Sequence, residues 1–347
     1  MGRDSEMGGS YAVPHSVPGA GIGIAKRFRY WKRIFSAYFG KRQSHLTFWH
    51  GTPEVNLEAD PKVVDQYWQA FIVKADYPGH HDEAGIPMLD YHGHVGLQYN
   101  PIAIAQWGLG NWNRWRREND PARRENVKRA AEWCVANLVP NEVGIPVWRH
   151  DFAWEYRTPL PRGWFSSLSQ GQGISLLIRA HKEFGDERYL KAARDAFRSF
   201  EFEMEQGGVA HTDKDGYVWF EETVVDPPTH ILNGYMWAAW GLYDLALYTG
   251  DEAPKRLFDE VVRTLRDRLD TFDIGYWSLY DHAGTAVPNA ASWFYHHLHV
   301  IQLRVMHRLT GEAFFAEWAD RWQGYRESGV RRRVATAHKS VFKLLYY

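Results

Sequence analysis

Two adjacent carboxylates, Glu221 and Glu222, close the aromatic run Tyr217-Val218-Trp219-Phe220 and stand just before Thr-Val-Val-Asp-Pro-Pro. Neighbouring side chains on an extended chain point to opposite faces, so at most one of the pair should enter a cleft. A glutamate beside Trp219 and Phe220 would have a raised pKa, which suits a proton acceptor near neutral pH. The alternative is a solvated surface glutamate. Tyr280 in Trp-Ser-Leu-Tyr-Asp-His and Tyr295 in Trp-Phe-Tyr-His-His are candidate proton donors. Tyrosine is a weak acid and needs a positive or hydrogen-bonding neighbour, and His282 and His296 are close in sequence. The alternative for each is a hydrogen-bonded core tyrosine. His296 with His299, or His92 with His94, could hold zinc with a third ligand, but no His-Glu-x-x-His pattern and no cysteine ligand accompany them, so metal catalysis is not expected. Asp-Lys-Asp-Gly at 213–216 resembles the start of a calcium loop but lacks the later ligands; it reads as a turn, with a structural calcium as the alternative.

These residues need elements to hold them. Four segments share one shape: an apolar helix, a short polar turn, and a charged helix with one apolar face. Their first helices start near Pro101, Ser169, Asn233 and Trp293, at intervals of 68, 64 and 60 residues. The first helix of each pair is apolar nearly all round and should be buried, while the second is amphipathic and should face water on one side. Helical hairpins joined by short Gly-Asp turns stack as antiparallel neighbours. The expected fold is mainly α: an incomplete (α/α) toroid of about four helical hairpins, with β-hairpin and strand insertions at 87–99, 144–156 and 216–223 and an N-terminal extension. The expected units are residues 1–45, a basic and aromatic extension; 46–98, a β- and loop-rich lead-in; 99–325, the toroid; and 326–347, a basic C-terminal tail.

In a toroid the N-terminal ends of the inner helices converge on one mouth, where free N–H groups and positive dipole ends favour an anion. All four entrances combine small residues with neutral hydrogen-bonding groups: Tyr99-Asn100 before Pro101, Trp164 with Gln170 and Gln172 in Gly-Trp-Phe-Ser-Ser-Leu-Ser-Gln-Gly-Gln-Gly, Asn233 in His-Ile-Leu-Asn-Gly, and Asn289 with His296 in Pro-Asn-Ala-Ala-Ser-Trp-Phe-Tyr-His-His. One such entrance is ordinary capping. Four aimed at one space look like the lining of a site.

Composition narrows the ligand. Lys and Arg number 41 against 42 Asp and Glu, for a formal charge of −1, which argues against nucleic acid as a partner. Aromatic residues make up 16% of the chain. They fill cores, and their faces also stack on the C–H faces of sugars. The single cysteine, Cys134, excludes an intrachain disulfide and a cysteine-based metal cluster. No run of 18 apolar residues occurs and the N-terminus lacks the apolar core of a secretory signal, so a cytoplasmic location is expected. Residues 24–42 read as a basic amphipathic helix that either packs on the body or rests on an anionic membrane surface; the C-terminal stretch has the same character.

At Gly-Trp-Phe-Ser-Ser-Leu-Ser-Gln-Gly-Gln-Gly the chain resembles the C-terminal catalytic domain of the D-glucuronyl C5-epimerase family, the enzymes of heparan sulfate and heparosan maturation. That family carries Gly-Trp-Tyr-Ser-Ala-Met-Ala-Gln-Gly-Gln here. The resemblance continues at 98–109, at 219–245 and at 278–303, and covers roughly residues 85–325 in the same order. It implies a β-rich part with an (α/α) toroid. It also implies catalysis by Glu222, Tyr280 and Tyr295, with Gln170, Gln172, Asn233, Asn289 and His296 at other patterned positions of the site or its support. Two positions depart from the pattern. Thr223 replaces a tyrosine that follows the Glu-Glu pair, and Ala283 replaces an arginine that would hold the uronate carboxylate. Arg149, Arg157, Arg162 or a histidine are the candidates to take its place.

The activity this implies is conversion of D-glucuronate to L-iduronate residues in a heparosan- or heparan-like polysaccharide, by abstraction and return of the C5 proton. The C5 hydrogen beside a carboxylate is very weakly acidic, and its removal builds a second negative charge. Donors and helix ends must offset that charge, with a base on one face of the ring and an acid on the other. No redox cofactor is needed. The expected partner is a uronate-containing polysaccharide, with membrane contact through the N-terminal segment and a homodimer as further options. The competing readings are a uronate polysaccharide lyase, a glycoside hydrolase using Glu222 with Asp226 or Asp281, and a non-catalytic sugar-binding protein.

Overall fold

The computed structural model describes residues 10–15, 28, 45–49, 51–155, 158–282 and 284–346. Apart from Phe28, the expected basic helix over 24–42 lies outside the described residues, as does Arg157. The lead-in holds two short helices, α1 (His45–Trp49) and α2 (Ile72–Ala75), and a three-stranded antiparallel sheet of β1 (His80–His81), β2 (Pro87–Asp90) and β3 (Leu97–Gln98), with Leu89 opposite Gln98.

Four helices of 18 residues follow, each with a partner: α3 (Pro101–Glu118) with α4 (Pro121–Asn137), α5 (Ser167–Phe184) with α6 (Glu187–Phe197), α7 (Leu232–Thr249) with α8 (Glu252–Arg268), and α9 (Trp293–Thr310) with α10 (Ala313–Glu327). Local chemistry sets their ends. Asn119, Gly185, Gly250 and Gly311 adopt the left-handed conformation, and each backbone N–H donates to the carbonyl four residues back, which closes the helix. The next residue is Asp120, Asp186, Asp251 or Glu312, the N-cap of the partner. Asp120 and Asp186 accept from Ala122 N–H and Arg188 N–H, an interaction worth about 1 kcal/mol per cap.

The first helices pack side by side, α3 on α5, α5 on α7 and α7 on α9. The α5–α7 crossing needs glycine. A Cβ on Gly171 would lie 2.6 Å from Ala238 Cα, and one on Gly241 would lie 2.2 Å from Gly171 O. The partner helices bury one stripe, shown best by α6, which buries Tyr189, Ala192, Ala193, Ala196 and Phe197 at helical spacing. A fully buried pair, Arg179 on α5 and Asp244 on α7 at 2.6 Å, receives Trp68 Nε1 and donates to Asp65 O, pinning the lead-in to the helices.

Hairpins connect the pairs: β4 (Leu138–Pro140) with β5 (Pro146–Trp148), β6 (Trp154–Glu155) with β7 (Pro159–Leu160), and β8 (Ala210–Thr212) with β9 (Val218–Phe220). The stretch 144–156 therefore contributes strands to two hairpins, β5 to the first and β6 to the second, and Val147 and Trp148 of β5 are both buried. The turn at 213–216 is built on Asp213, whose carboxylate accepts from Asp215 N, Tyr217 N and Trp219 Nε1. The C-terminal stretch forms a helix, α11 (Gly329–Tyr346), that buries Ala335 and Phe342 and packs beside α10. No described helix is long and apolar enough to cross a membrane.

Candidate active site

A cavity of about 200 Å³ opens where the N-terminal ends of α3, α5, α7 and α9 meet. Asn100 and Ile102 reach it from α3, Leu168 from α5, Ile231, Asn233 and Trp237 from α7, and Phe294 and Tyr295 from α9. Three of these ends are capped by a side chain: Asn100 accepts from Ile102 N and Ala103 N, Ser166 from Leu168 N, and Ser292 from Tyr295 N. The fourth, α7, has Ile231 at its N-cap and no side-chain cap.

Glu222 stands on that uncapped end. Asn233 Nδ2 donates to Glu222 Oε2 at 3.2 Å, and a Cβ on Gly234 would fall 2.2 Å from Oε2 and 2.7 Å from Glu222 Cβ. Gly234 is what lets the carboxylate rest against the first turn. Burial pushes the Glu222 carboxyl up to about 8; the Asn233 donation opposes this, and Glu221 and Asp281 add to it. The positive end of α7 also favours the ionised form. Glu221 turns the other way. It is fully buried and accepts from Thr229 N and His230 N, with His230 Nδ1 at 2.6 Å from its Oε1. Burial would raise its carboxyl, but the His230 ring and these backbone donors outweigh it and hold Glu221 below the ordinary value. Two adjacent glutamates thus acquire opposite proton affinities, one poised to exchange a proton and one held ionised.

Tyr280 and Tyr295 line the same cavity, with ring centroids 4.8 Å apart in an edge-to-face contact at 66°. Two backbone bonds fix Tyr280: its N–H donates to Asn289 O at 2.7 Å, and its carbonyl accepts from Leu232 N in the first turn of α7. Glu222 is the one carboxylate among the described lining residues. Asp226 is exposed beside His15, and Asp281 is buried against Asn289, so neither stands across the cavity from Glu222.

Of the residues expected to contact substrate, Asn100, Trp164 and Asn233 line the cavity. Stacking against His150 at 3.5 Å holds Trp164. Five others lie outside the cavity lining. Tyr99 points outward, where its hydroxyl donates to Asp82. Gln170 is buried among Trp148 N, Ala196 O and Ser199 Oγ, and Gln172 accepts from Gln106 Nε2; both lie on the all-buried α5 and join elements inside the core. Asn289 bonds Asp281 and Lys339 behind Tyr280. His296 is buried with Nε2 donating to Trp322 O and Nδ1 facing Ser278 Oγ, and burial pushes it down to about 3, so it is neutral support. Arg149 and Arg162, considered as carboxylate partners, bond Pro140 O and Asp151 respectively and do not line the cavity.

The sequence reading missed His45, Trp49, Lys74, Tyr91, Phe152, Trp154, Trp237 and Phe294, which also line the cavity. Trp154 lay in the 144–156 run, and Trp237 lies one turn after Asn233, so both had a signal. The lead-in residues had none, because only the tertiary fold brings them over the helix ends. The walls are consequently rich in aromatic faces, with Asn100 Nδ2 donating to Tyr91 Oη and His45 stacked on Tyr91 at 4.6 Å. Among the described residues, no group of three or more His, Cys, Asp or Glu is arranged to hold a metal ion.

Comparison with known proteins bears on this arrangement. The chain is 37% identical over 215 residues to D-glucuronyl C5-epimerase of Caenorhabditis elegans, which covers 56% of this chain and 34% of that protein. It is 29% identical over 192 residues to an uncharacterized protein of Methanocaldococcus jannaschii, covering 54% of this chain and 61% of the relative. Among solved structures, the unsaturated glucuronyl hydrolase of Bacillus sp. GL1 aligns with a TM-score of 0.46 at 16% identity, over 65% of this chain and 62% of that one. The family model described as D-glucuronyl C5-epimerase C-terminus matches residues 143–324, which include Glu222, Tyr280 and Tyr295. That match spans more than half of the chain, and the protein belongs to the D-glucuronyl C5-epimerase C-terminal family.

Proposed function

We propose that the protein is a C5-epimerase that converts D-glucuronate to L-iduronate residues in a heparosan- or heparan-like polysaccharide, and that its helical pairs form an incomplete (α/α) toroid around the reacting sugar. The observation that carries the reading is the meeting of Glu222, Tyr280 and Tyr295 on one aromatic-walled cavity at the N-terminal ends of four core helices.

In this mechanism Glu222 takes the C5 proton. Its raised proton affinity makes it a stronger base than an exposed carboxylate. The electron pair left at C5 delocalises into the carboxylate as an enediolate, and the partial positive charge of the helix ends favours the added negative charge. Tyr280 and Tyr295 touch through their rings, which leaves no room for a pyranose between them, so they form one wall. A hydroxyl from that wall returns a proton to C5 on the face opposite Glu222, inverting the centre. Aromatic faces such as Trp164 and Trp154 hold the sugar by its C–H surfaces. The chemistry moves only protons and needs no redox cofactor. A hydrolase would need a second carboxylate across the bond, and Glu222 is the one carboxylate among the described lining residues.

Incubating N-acetylheparosan with the protein in D2O tests the reading. An epimerase puts deuterium at C5 and yields iduronate. A product absorbing in the ultraviolet would instead mean a lyase, new reducing ends a hydrolase, and an unchanged polymer a binding protein.

A further inference from the structure

Lys74 is the one lysine among the described residues that line the cavity, and its position in the lead-in lies outside the stretch matched by the family model. It sits on the short helix α2, 7% exposed. Its Nζ donates to Phe48 O at 3.1 Å and lies 4.3 Å from the Phe48 ring centroid, 5.0 Å from that of Trp49 and 5.6 Å from that of Phe71. An ammonium carries three donors, and this carbonyl is Lys74's one hydrogen-bond partner among the described residues. No described carboxylate pairs with it. A buried cation without a counter-ion is costly, and three aromatic faces offset only part of that cost. Burial alone brings the Lys74 ammonium down to about 7. An anion entering the cavity would complete the set of partners and restore the charged form.

No other lysine and no arginine occurs among the described lining residues, and Arg157 lies outside the described residues. Arg149 and Arg162 are placed elsewhere, and Ala283 stands where the resemblance implies an arginine. We propose that Lys74 anchors the carboxylate of the reacting uronate, supplying from the lead-in the positive charge that Ala283 does not. This rests on the epimerase reading for the identity of the ligand. The ammonium binds the carboxylate in the ground state and binds the doubly charged enediolate more strongly, so it contributes both selectivity for acidic sugars and stabilisation of the intermediate.

The test compares the full wild-type chain with Lys74→Met and Lys74→Arg. Binding of N-acetylheparosan oligosaccharide and of its carboxyl-reduced counterpart is measured by calorimetry, beside C5 deuterium exchange. Loss of one partner of a desolvated charge pair corresponds to at least about a 30-fold loss of affinity. Lys74→Met should lose that much affinity for the acidic oligosaccharide, keep its affinity for the reduced one, and so lose the preference between them; Lys74→Arg should recover part of it. Undiminished preference in Lys74→Met, or no preference in the wild type, overturns the proposal. If Lys74→Met does not fold, trinitrophenylation of the wild-type Lys74 amine by trinitrobenzenesulfonate, with sulfite as the leaving group, decides: saturating acidic oligosaccharide should protect it, and an unchanged rate refutes the anchor. Failure of the two readings is distinguishable. A wild type that shows Lys74-dependent acid preference without C5 exchange sinks the epimerase reading alone. A wild type that exchanges C5, with the preference intact in Lys74→Met, sinks the anchor alone.

Discussion

Gly234→Ala is a substitution of one methyl group that should disarm Glu222 without touching its chemistry. The added Cβ would lie 2.2 Å from Glu222 Oε2 and 2.7 Å from its Cβ, where ordinary contact begins at 3.4 Å. The carboxylate must therefore retreat by about 1 Å from the α7 end. A misplacement of about 1 Å can cost on the order of 100-fold in rate, equivalent to about 2.7 kcal/mol of barrier. Stability should change much less. Overpacking costs about 1–3 kcal/mol, while alanine regains up to about 1 kcal/mol of helix propensity over glycine. The assay is C5 deuterium exchange with thermal melting as the control: turnover is expected to drop about 100-fold with Tm within a few degrees of the wild type. In a Glu222→Gln background the same methyl group should cost nothing further, because its effect acts through the carboxylate. Full exchange in Gly234→Ala, or additive losses in the double variant, would refute the reasoning.

Three further outcomes follow from the same geometry. With Glu222 needed ionised and Lys74 needed charged, pKa values of about 8 and about 7 make the active form a minority, so kcat/KM should follow a low bell between those values. The groups acting on Glu222 are Asn233, Glu221 and Asp281, whereas Lys74 faces Phe48 O and aromatic rings; Lys74→Arg, which stays charged, should leave a single rise through about pH 8. Arg179→Met strands a fully buried Asp244 and should lower unfolding stability by about 3–5 kcal/mol in denaturant titration. Gln172→Leu should cost about 1 kcal/mol or more of stability through the lost Gln106 bond and leave KM unchanged, as expected of a core residue and not of a sugar contact.

The helical frame was legible because its signals are local. A Gly or Asn followed by Asp or Glu marks the turn within each helical pair, and all-round apolar composition separates buried from amphipathic helices. Glu222, Tyr280 and Tyr295 were marked individually by residue type and neighbours, but it was the family resemblance that joined them, since Tyr295 lies in the first turn of α9 while Glu222 and Tyr280 lie in the segments leading into α7 and α9. Gln170 and Gln172 show the limit. On a helix buried on every side, a glutamine that ties elements together looks identical in sequence to one that faces a ligand; only the neighbours Trp148, Ser199 and Gln106 tell them apart. Lys74 shows the converse. Phe-Ile-Val-Lys-Ala-Asp has no pattern that announces a buried cation, and its role arises from long-range packing of α2 over the helix ends. The C-terminal stretch reads as a basic amphipathic helix, and burial of Ala335 and Phe342 docks its apolar side on the body.

In the proposed reaction one carboxylate moves one proton inside the cavity where the core-helix ends meet. Deuterium incorporation at C5 of N-acetylheparosan, followed by NMR for the wild type and Glu222→Gln, measures that step directly. Label at C5 with iduronate formation is expected in the wild type, and neither in a folded Glu222→Gln; label appearing at the wild-type rate in Glu222→Gln would contradict the proposed role of Glu222.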